Sequence, residues 1–414
     1  MDNNFIYKNN KLYCEQVPIK TLAEKFGTPL YLMSSNSMQN QYDYFEKAFS
    51  KLNHLTCYAV KANFNLSVIN LFARAGSGAD VGSRGELFRA LKAGIPSEKI
   101  VMSGVGKSHA DIEHAIKSKI LLLSTESLSE LKYINQIAKK LNTVVDITVR
   151  VNPSVKALTH AHISTGGHIH KFGIDEVLLP EVFRLAKSLY NIKIVGLDVH
   201  IGSQLNSTAP YIKTIKKLLV IKKNFEDHGF NIKYLDLGGG FPVTYDPSKP
   251  KKDLKVFADT IIPLLQNCGA KIIFEPGRYF VANAGVLITQ VLYLKENSSG
   301  KKFVIVDAGM SELIRPVLYD AYHHIISVNY SSKKIVADVV GPICESADFF
   351  AKDREMQTVR EKDYLVVLST GAYGGVMGSN YNGRLRPTEV LIDGKNFKVI
   401  RKRETLEQFI QNEI

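Results

Sequence analysis

The sequence predicts an α/β chain: a (β/α)8 barrel joined to a second, all-β domain. Three observations point there. Eight short apolar runs alternate with helical stretches through the first two thirds of the chain. Beyond about residue 284 the texture changes to β-rich runs separated by turns. Residues of catalytic type stand at the ends of the apolar runs, where a barrel collects its chemistry.

Taken in order, short strand-like pieces at 11–14 and 29–33 flank a helical stretch at 19–26, closed by Gly27. A helix over 34–51 follows, with Tyr44, Phe45, Ala48 and Phe49 on its apolar face. The eight strands are expected at 55–60, 78–81, 100–103, 121–124, 144–151, 194–200, 232–237 and 272–275. Helices are expected between them at 67–75, 85–93, 109–118, 128–141, 211–225 and 253–266. An open sheet usually has fewer strands, and one barrel needs roughly 250 residues, which fits a domain over 36–283. The runs at 286–294, 303–306, 335–340, 364–367 and 391–400 lack regular helices between them. They predict a β domain over 284–414, to which residues 1–35 add strands, so that both ends of the chain meet in it.

Composition narrows the function. Of 414 residues, 45% are hydrophobic and 22% charged, an ordinary globular balance. No apolar run is long enough to span a bilayer, and Met1-Asp-Asn-Asn-Phe5 lacks a signal-peptide pattern. Cys14, Cys57, Cys268 and Cys344 are scattered without CxxC spacing, which predicts a reducing cytoplasm rather than a disulfide framework or a thiolate zinc site. The net charge of +13 is dispersed and no nucleic-acid module accompanies it. Solvated faces with some attraction for an anionic substrate account for it.

The run Leu55-Thr-Cys-Tyr-Ala-Val60 ends on Lys61. A lysine there either snorkels to water or, if desolvated, sheds its proton and becomes a nucleophile able to form an imine. Asp80 ends the second strand and Arg150 lies in the fifth; His200-Ile-Gly-Ser203 follows the sixth, Gly238-Gly239-Gly240 the seventh, and Glu275-Pro276-Gly277-Arg278 the eighth. The glycine loop presents amides without side chains, so it can wrap a phosphate, and it lacks the GKS/GKT ending of a nucleotide-binding P-loop. An imine-forming lysine, a phosphate cradle and a carboxylate together describe pyridoxal 5'-phosphate (PLP). Glu275 can hold the ring nitrogen protonated and His200 can stack on the ring. The bland alternatives are a Glu275–Arg278 ion pair and a satisfied core histidine.

Tyr58-Ala-Val-Lys61-Ala-Asn63, His200-Ile-Gly-Ser203, Gly238-Gly-Gly-Phe-Pro242, Glu275-Pro-Gly-Arg278 and Cys344-Glu-Ser-Ala-Asp348 stand in one order over nearly the whole chain. In this the sequence resembles the fold-type III PLP-dependent decarboxylases. Within them it is most similar to the branch acting on meso-2,6-diaminopimelate, through Arg315-Pro-Val-Leu-Tyr319-Asp-Ala-Tyr-His323 and Cys344-Glu345. The resemblance implies decarboxylation to L-lysine and CO2, with Lys61 carrying PLP and Cys344 returning a proton. It implies cofactor contacts from Gly240, the Glu275–Arg278 segment and Tyr373, with a phosphate contact from Ser203. Arg278 and Arg315 would clasp the distal carboxylate, Tyr319 would add a hydroxyl, Glu345 would take the distal ammonium, and Tyr373 would lie near substrate. A homodimer with shared sites is implied, the β domain lending substrate and interface residues. The alternatives are a decarboxylase of ornithine, arginine or carboxynorspermidine, and a catalytically silent regulatory relative. His160, His162, His168 and His170 crowd one segment; the resemblance makes it a loop over the active site, and no metal is expected.

Overall fold

The computed structural model describes residues 4–153 and 171–414, so the four clustered histidines lie outside the described residues. The chain forms two compact units. One comprises Tyr42–Pro242 with Lys252–Tyr279, the other Met1–Gln41, Val243–Lys251 and Phe280–Ile414.

The first unit is the barrel. Its strands are β1 (His54–Ala59), β2 (Gly78–Val81), β3 (Ile100–Met102), β4 (Leu122–Thr125), β5 (Val145–Asn152), β6 (Ile192–Asp198), β7 (Tyr234–Asp236) and β8 (Lys271–Phe274). All pair in parallel, and pairing of β8 with β1 closes the ring. β1 and β2 are buried along nearly their whole length, which is why they read as continuous apolar runs rather than alternating ones. Side chains at the helix entrances catch backbone amides that the first turn leaves unpaired, among them Asn65, Ser83, Ser108, Ser127 and Asp253. Gly196 sits at a register shift in β6, and a Cβ there would come within 2.9 Å of the Tyr234 carbonyl.

One helix, Leu179–Ala186, was not expected. Pro180 punctuates the sequence like a breaker, but it stands in the first turn, where no amide is needed. An aromatic cluster fills one side of the unit. The Phe45 ring meets Phe49, Phe241, Phe274 and Tyr279 at centroid distances of 4.8–6.0 Å.

The second unit is built on a mixed sheet. Strand Leu30–Ser34, buried at all five positions, lies between Gly285–Glu296 and Thr388–Asp393. A strand from the start of the chain is therefore central to a sheet whose other strands come from its last third. The run expected over 391–400 is a hairpin, Thr388–Asp393 with Asn396–Arg401, turning at Gly394 in a left-handed conformation (φ +61°). The strand Phe349–Gln357 escaped notice because Lys352-Asp-Arg-Glu355 breaks its apolar pattern. Among the described residues it is an edge strand, paired with Lys334–Val340, and edges carry charge. Among the described residues, no helix is long and apolar enough to cross a membrane.

Truncating Phe45 to alanine removes a ring from a closed aromatic cluster. The expected cost is about 3–5 kcal/mol, read as a lowered urea midpoint of the transition that exposes the barrel.

Candidate active site

Lys61 lies in the short turn Val60–Ala62 that leaves β1. Ala59 is paired with Asp80 across β1 and β2, so a side chain two residues further along β1 is within reach of that carboxylate. Lys61 Nζ donates to Asp80 Oδ2 at 2.7 Å, and Ser103 Oγ donates to Asp80 Oδ1 at 2.7 Å. The Lys61 side chain is 45% exposed and Asp80 is buried. The amine is thus held at the rim by a buried carboxylate.

Around this pair the barrel rim gathers buried acids. Asp198 ends β6 and accepts from Ser124 Oγ at 2.8 Å; burial lifts its carboxyl to about 6, against the pull of Arg150. Asp236 ends β7, and its carboxyl shares a hydrogen bond with that of Glu275. Burial, then the neighbouring acids, raises both well above the carboxylate range. Arg150 in β5 is paired with Glu126 at 2.8 Å. Burial works against its charge, but Asp198 and Glu126 outweigh this and hold it firmly cationic. Burial, then the charges of Lys61 and Arg150, pushes His200 well below its usual range. The imidazole is therefore neutral, and its Nδ1 accepts from the Gly239 amide at 3.2 Å.

The glycine loop has no room for side chains. A Cβ on Gly239 would lie 2.4 Å from the Glu275 carbonyl, and one on Gly240, at φ +92°, would lie 2.6 Å from the Gly202 carbonyl. Gly238, at φ +64°, packs against His200 and donates its amide to Asp236 Oδ1 at 2.9 Å. Tyr211 holds the Gly239 carbonyl at 2.7 Å. Beside the loop, Arg278 Nε donates to Ser203 Oγ at 3.2 Å. The Pro276 carbonyl accepts from the Ala59 amide, and Gly277 passes close to Ala59 and Ala62.

These residues fit PLP. They combine an amine at the rim, a loop of glycines and a neutral imidazole. Among them Glu275 is a buried carboxyl whose ionised form a positive ring nitrogen would favour.

The other expected residues lie in the second unit. Arg315 opens the helix Arg315–Tyr319 and is buried; Tyr319, at its other end, is half-buried. Cys344 and Glu345 are exposed. Their loop hangs on Asp348, whose carboxylate accepts from the Met310 amide at 2.6 Å and the Ile343 amide at 2.7 Å. The Cys344 amide donates to Asn382 Oδ1 at 2.7 Å. Tyr373, half-buried, adopts a left-handed backbone (φ +56°) that a tyrosine rarely takes. Asp198, Asp236 and Glu126 were missed among the barrel residues. The available signal was an acid within one residue of the end of a barrel strand, the same signal that drew attention to Asp80.

Residues 35–282 match the family model described as pyridoxal-dependent decarboxylase, pyridoxal binding domain. The diaminopimelate decarboxylase of Aquifex aeolicus is 47% identical over 406 residues, spanning 98% of this chain and 96% of the relative. The chain belongs to the diaminopimelate decarboxylases. As a member of this family it is a PLP-dependent enzyme of fold-type III. Among crystal structures, the Helicobacter pylori diaminopimelate decarboxylase complexed with L-lysine superposes with a TM-score of 0.91 at 42% identity, over 95% of this chain and 99% of that one. The M. jannaschii enzyme, also in complex with L-lysine, gives 0.95 at 37% identity, over 100% and 98%.

The raised Asp198 carboxyl has a consequence for stability. Its folded value, about 6, lies above the ordinary value of 3.8. The folded state therefore favours the protonated form, and this contribution is complete below the unfolded value and lost as pH rises through about 6. Asp198→Asn should flatten the fall in denaturation midpoint between about pH 4 and pH 6 relative to wild type, measured by urea titration across that range.

Proposed function

We propose that this chain decarboxylates meso-2,6-diaminopimelate to L-lysine and CO2, in the cytoplasm, as a step of lysine biosynthesis. The observation that carries the reading is Lys61, held by Asp80 at the rim beside a glycine loop, in a chain similar over its length to diaminopimelate decarboxylases. The absence of a disulfide among the four cysteines accords with a reducing compartment.

In this reading Lys61 Nζ is the covalent anchor, and Asp80 keeps the amine at the rim between turnovers. The Gly240 amide, with Ser203, would hold the phosphate, Arg278 steadying Ser203, while the Gly238 and Gly239 amides, given to Asp236 and His200, shape the loop around it. Glu275 would pair with the ring nitrogen, backed by Asp236, while neutral His200 would cover the ring without adding charge. Arg150 offsets the surrounding acids, and Tyr373 touches cofactor and substrate. PLP, when bound, supplies an electron sink for the pair left as CO2 departs. Arg278 and Arg315 receive the distal carboxylate as planar forks; Tyr319 and Glu345 bind the remaining distal groups. Ornithine would leave those forks buried and unsatisfied, which is how the pocket rejects it. Cys344 Sγ delivers a proton to the carbon that has lost CO2.

We also assign the working form as a homodimer in which Cys344 and Glu345 complete the site of the other subunit. Their exposure in the single chain supports this, since a proton donor for carbon chemistry needs shelter from water.

Incubated with PLP and meso-diaminopimelate, the protein should release CO2 and L-lysine in equal amounts, and Lys61→Ala should release neither. Equal rates on ornithine or arginine would overturn the substrate assignment. Sharing of sites has its own measurement. Lys61→Ala and Cys344→Ala chains, dissociated together and reassembled, should recover about a quarter of wild-type activity, because half of the pairs are mixed and each mixed pair has one intact site. No recovery despite demonstrated exchange would mean that each chain completes its own site.

A further inference from the structure

We propose that His323 is a positioning residue: it fixes the plane of the Arg315 guanidinium and so sets affinity for the substrate's distal carboxylate. This rests on the reading of Arg315 given above.

His323 is fully buried. Its Nδ1 lies 2.9 Å from the Leu368 carbonyl, an acceptor only, so Nδ1 carries the proton and donates. Its Nε2 lies 3.0 Å from Arg315 NH1, a donor only, so Nε2 accepts. The two contacts leave one possible state, a neutral imidazole of fixed tautomer. The Tyr245 ring then fixes the remaining freedom: the guanidinium carbon lies 4.7 Å from its centroid, and the imidazole meets the same ring edge-on at 5.4 Å. One neighbour grips an edge of the arginine fork and the other grips its face.

The choice of an imidazole matters chemically. A carboxylate would orient the guanidinium equally well, but it would cancel the charge and compete with an incoming anion. Neutral Nε2 orients the arginine and leaves its charge for the ligand. An arginine held in this way need not give up rotamer freedom when the substrate arrives. The anchoring reaches the main chain, since the His323 carbonyl accepts from Arg354 NH1 at 2.8 Å.

The test separates the two ring nitrogens. Asparagine can keep the donation to Leu368 but cannot reach Arg315; glutamine can present an acceptor where Nε2 stood. In the PLP-loaded enzyme, His323→Asn should raise KM for diaminopimelate about tenfold with a smaller change in kcat, the size expected for one hydrogen bond to a charged group. Inhibition by L-lysine, which keeps the distal carboxylate, should weaken in parallel. His323→Gln should restore KM to within about threefold of wild type. Placed on Arg315→Ala, the asparagine change should add nothing further, because the group it orients is gone. An unchanged KM in His323→Asn, or effects that simply multiply with Arg315→Ala, would overturn the proposal. Should the asparagine variant not fold, the glutamine variant decides: a tenfold rise in its KM overturns the proposal and a near-normal KM upholds it. If Arg315→Ala itself leaves KM untouched, the carboxylate reading of Arg315 fails first, and that result is distinguishable from failure at His323.

Discussion

A closed parallel barrel obliges all eight strands to finish on the same rim, and the site in this chain follows from that constraint. Because β1 pairs with β2 in a register that sets Ala59 opposite Asp80, the turn carrying Lys61 must pass beside that carboxylate. Because β8 closes onto β1, the segment that bears Glu275 runs against the same turn, its Pro276 carbonyl hydrogen-bonded to Ala59. Residues separated by two hundred positions become neighbours through ladder geometry alone, before any side chain has chosen a partner.

The rim carries an electrostatic cost. Burying Asp198, Asp236 and Glu275 together raises all three carboxyls above their ordinary range and disfavours their ionised forms. Such crowding brings no benefit to a bare fold, and ordinary cores avoid it. Perturbed carboxyls gathered at a strand rim mark a place where the chain gives up stability for chemistry, and here they surround the lysine.

Much of this was legible in the sequence because barrel strands announce themselves. Runs such as Leu55–Thr–Cys–Tyr–Ala59 are apolar on both faces, and each of the eight was visible with its ends displaced by no more than a few residues. The residues read from punctuation were also accessible: Lys61 closing an apolar run, three consecutive glycines, Glu275 before a proline. What stayed hidden depends on distance in space. That Lys61 pairs with Asp80 follows from a register. The adjacency of the strands bearing Asp236 and Glu275 was legible from the barrel, but the direction of the two side chains toward each other was not. Phe349–Gln357 was masked because an edge strand carries charges of the kind that sequence patterns assign to loops. The helix Leu179–Ala186 was hidden by a proline whose tolerated position becomes clear only when the first turn is known.

The central place of strand Leu30–Ser34 has a consequence for how the molecule is made. Both of its ladder partners, Gly285–Glu296 and Thr388–Asp393, leave the ribosome only after the entire barrel sequence has been synthesised. The five buried residues of the strand must therefore wait, solvated and unpaired, while the barrel folds. The closing contact of the second unit joins nearly opposite ends of the polypeptide, and its loop-closure cost is met by a barrel that has already condensed the intervening chain. The central ladder of the second unit is thus the contact that synthesis makes available after the barrel's own.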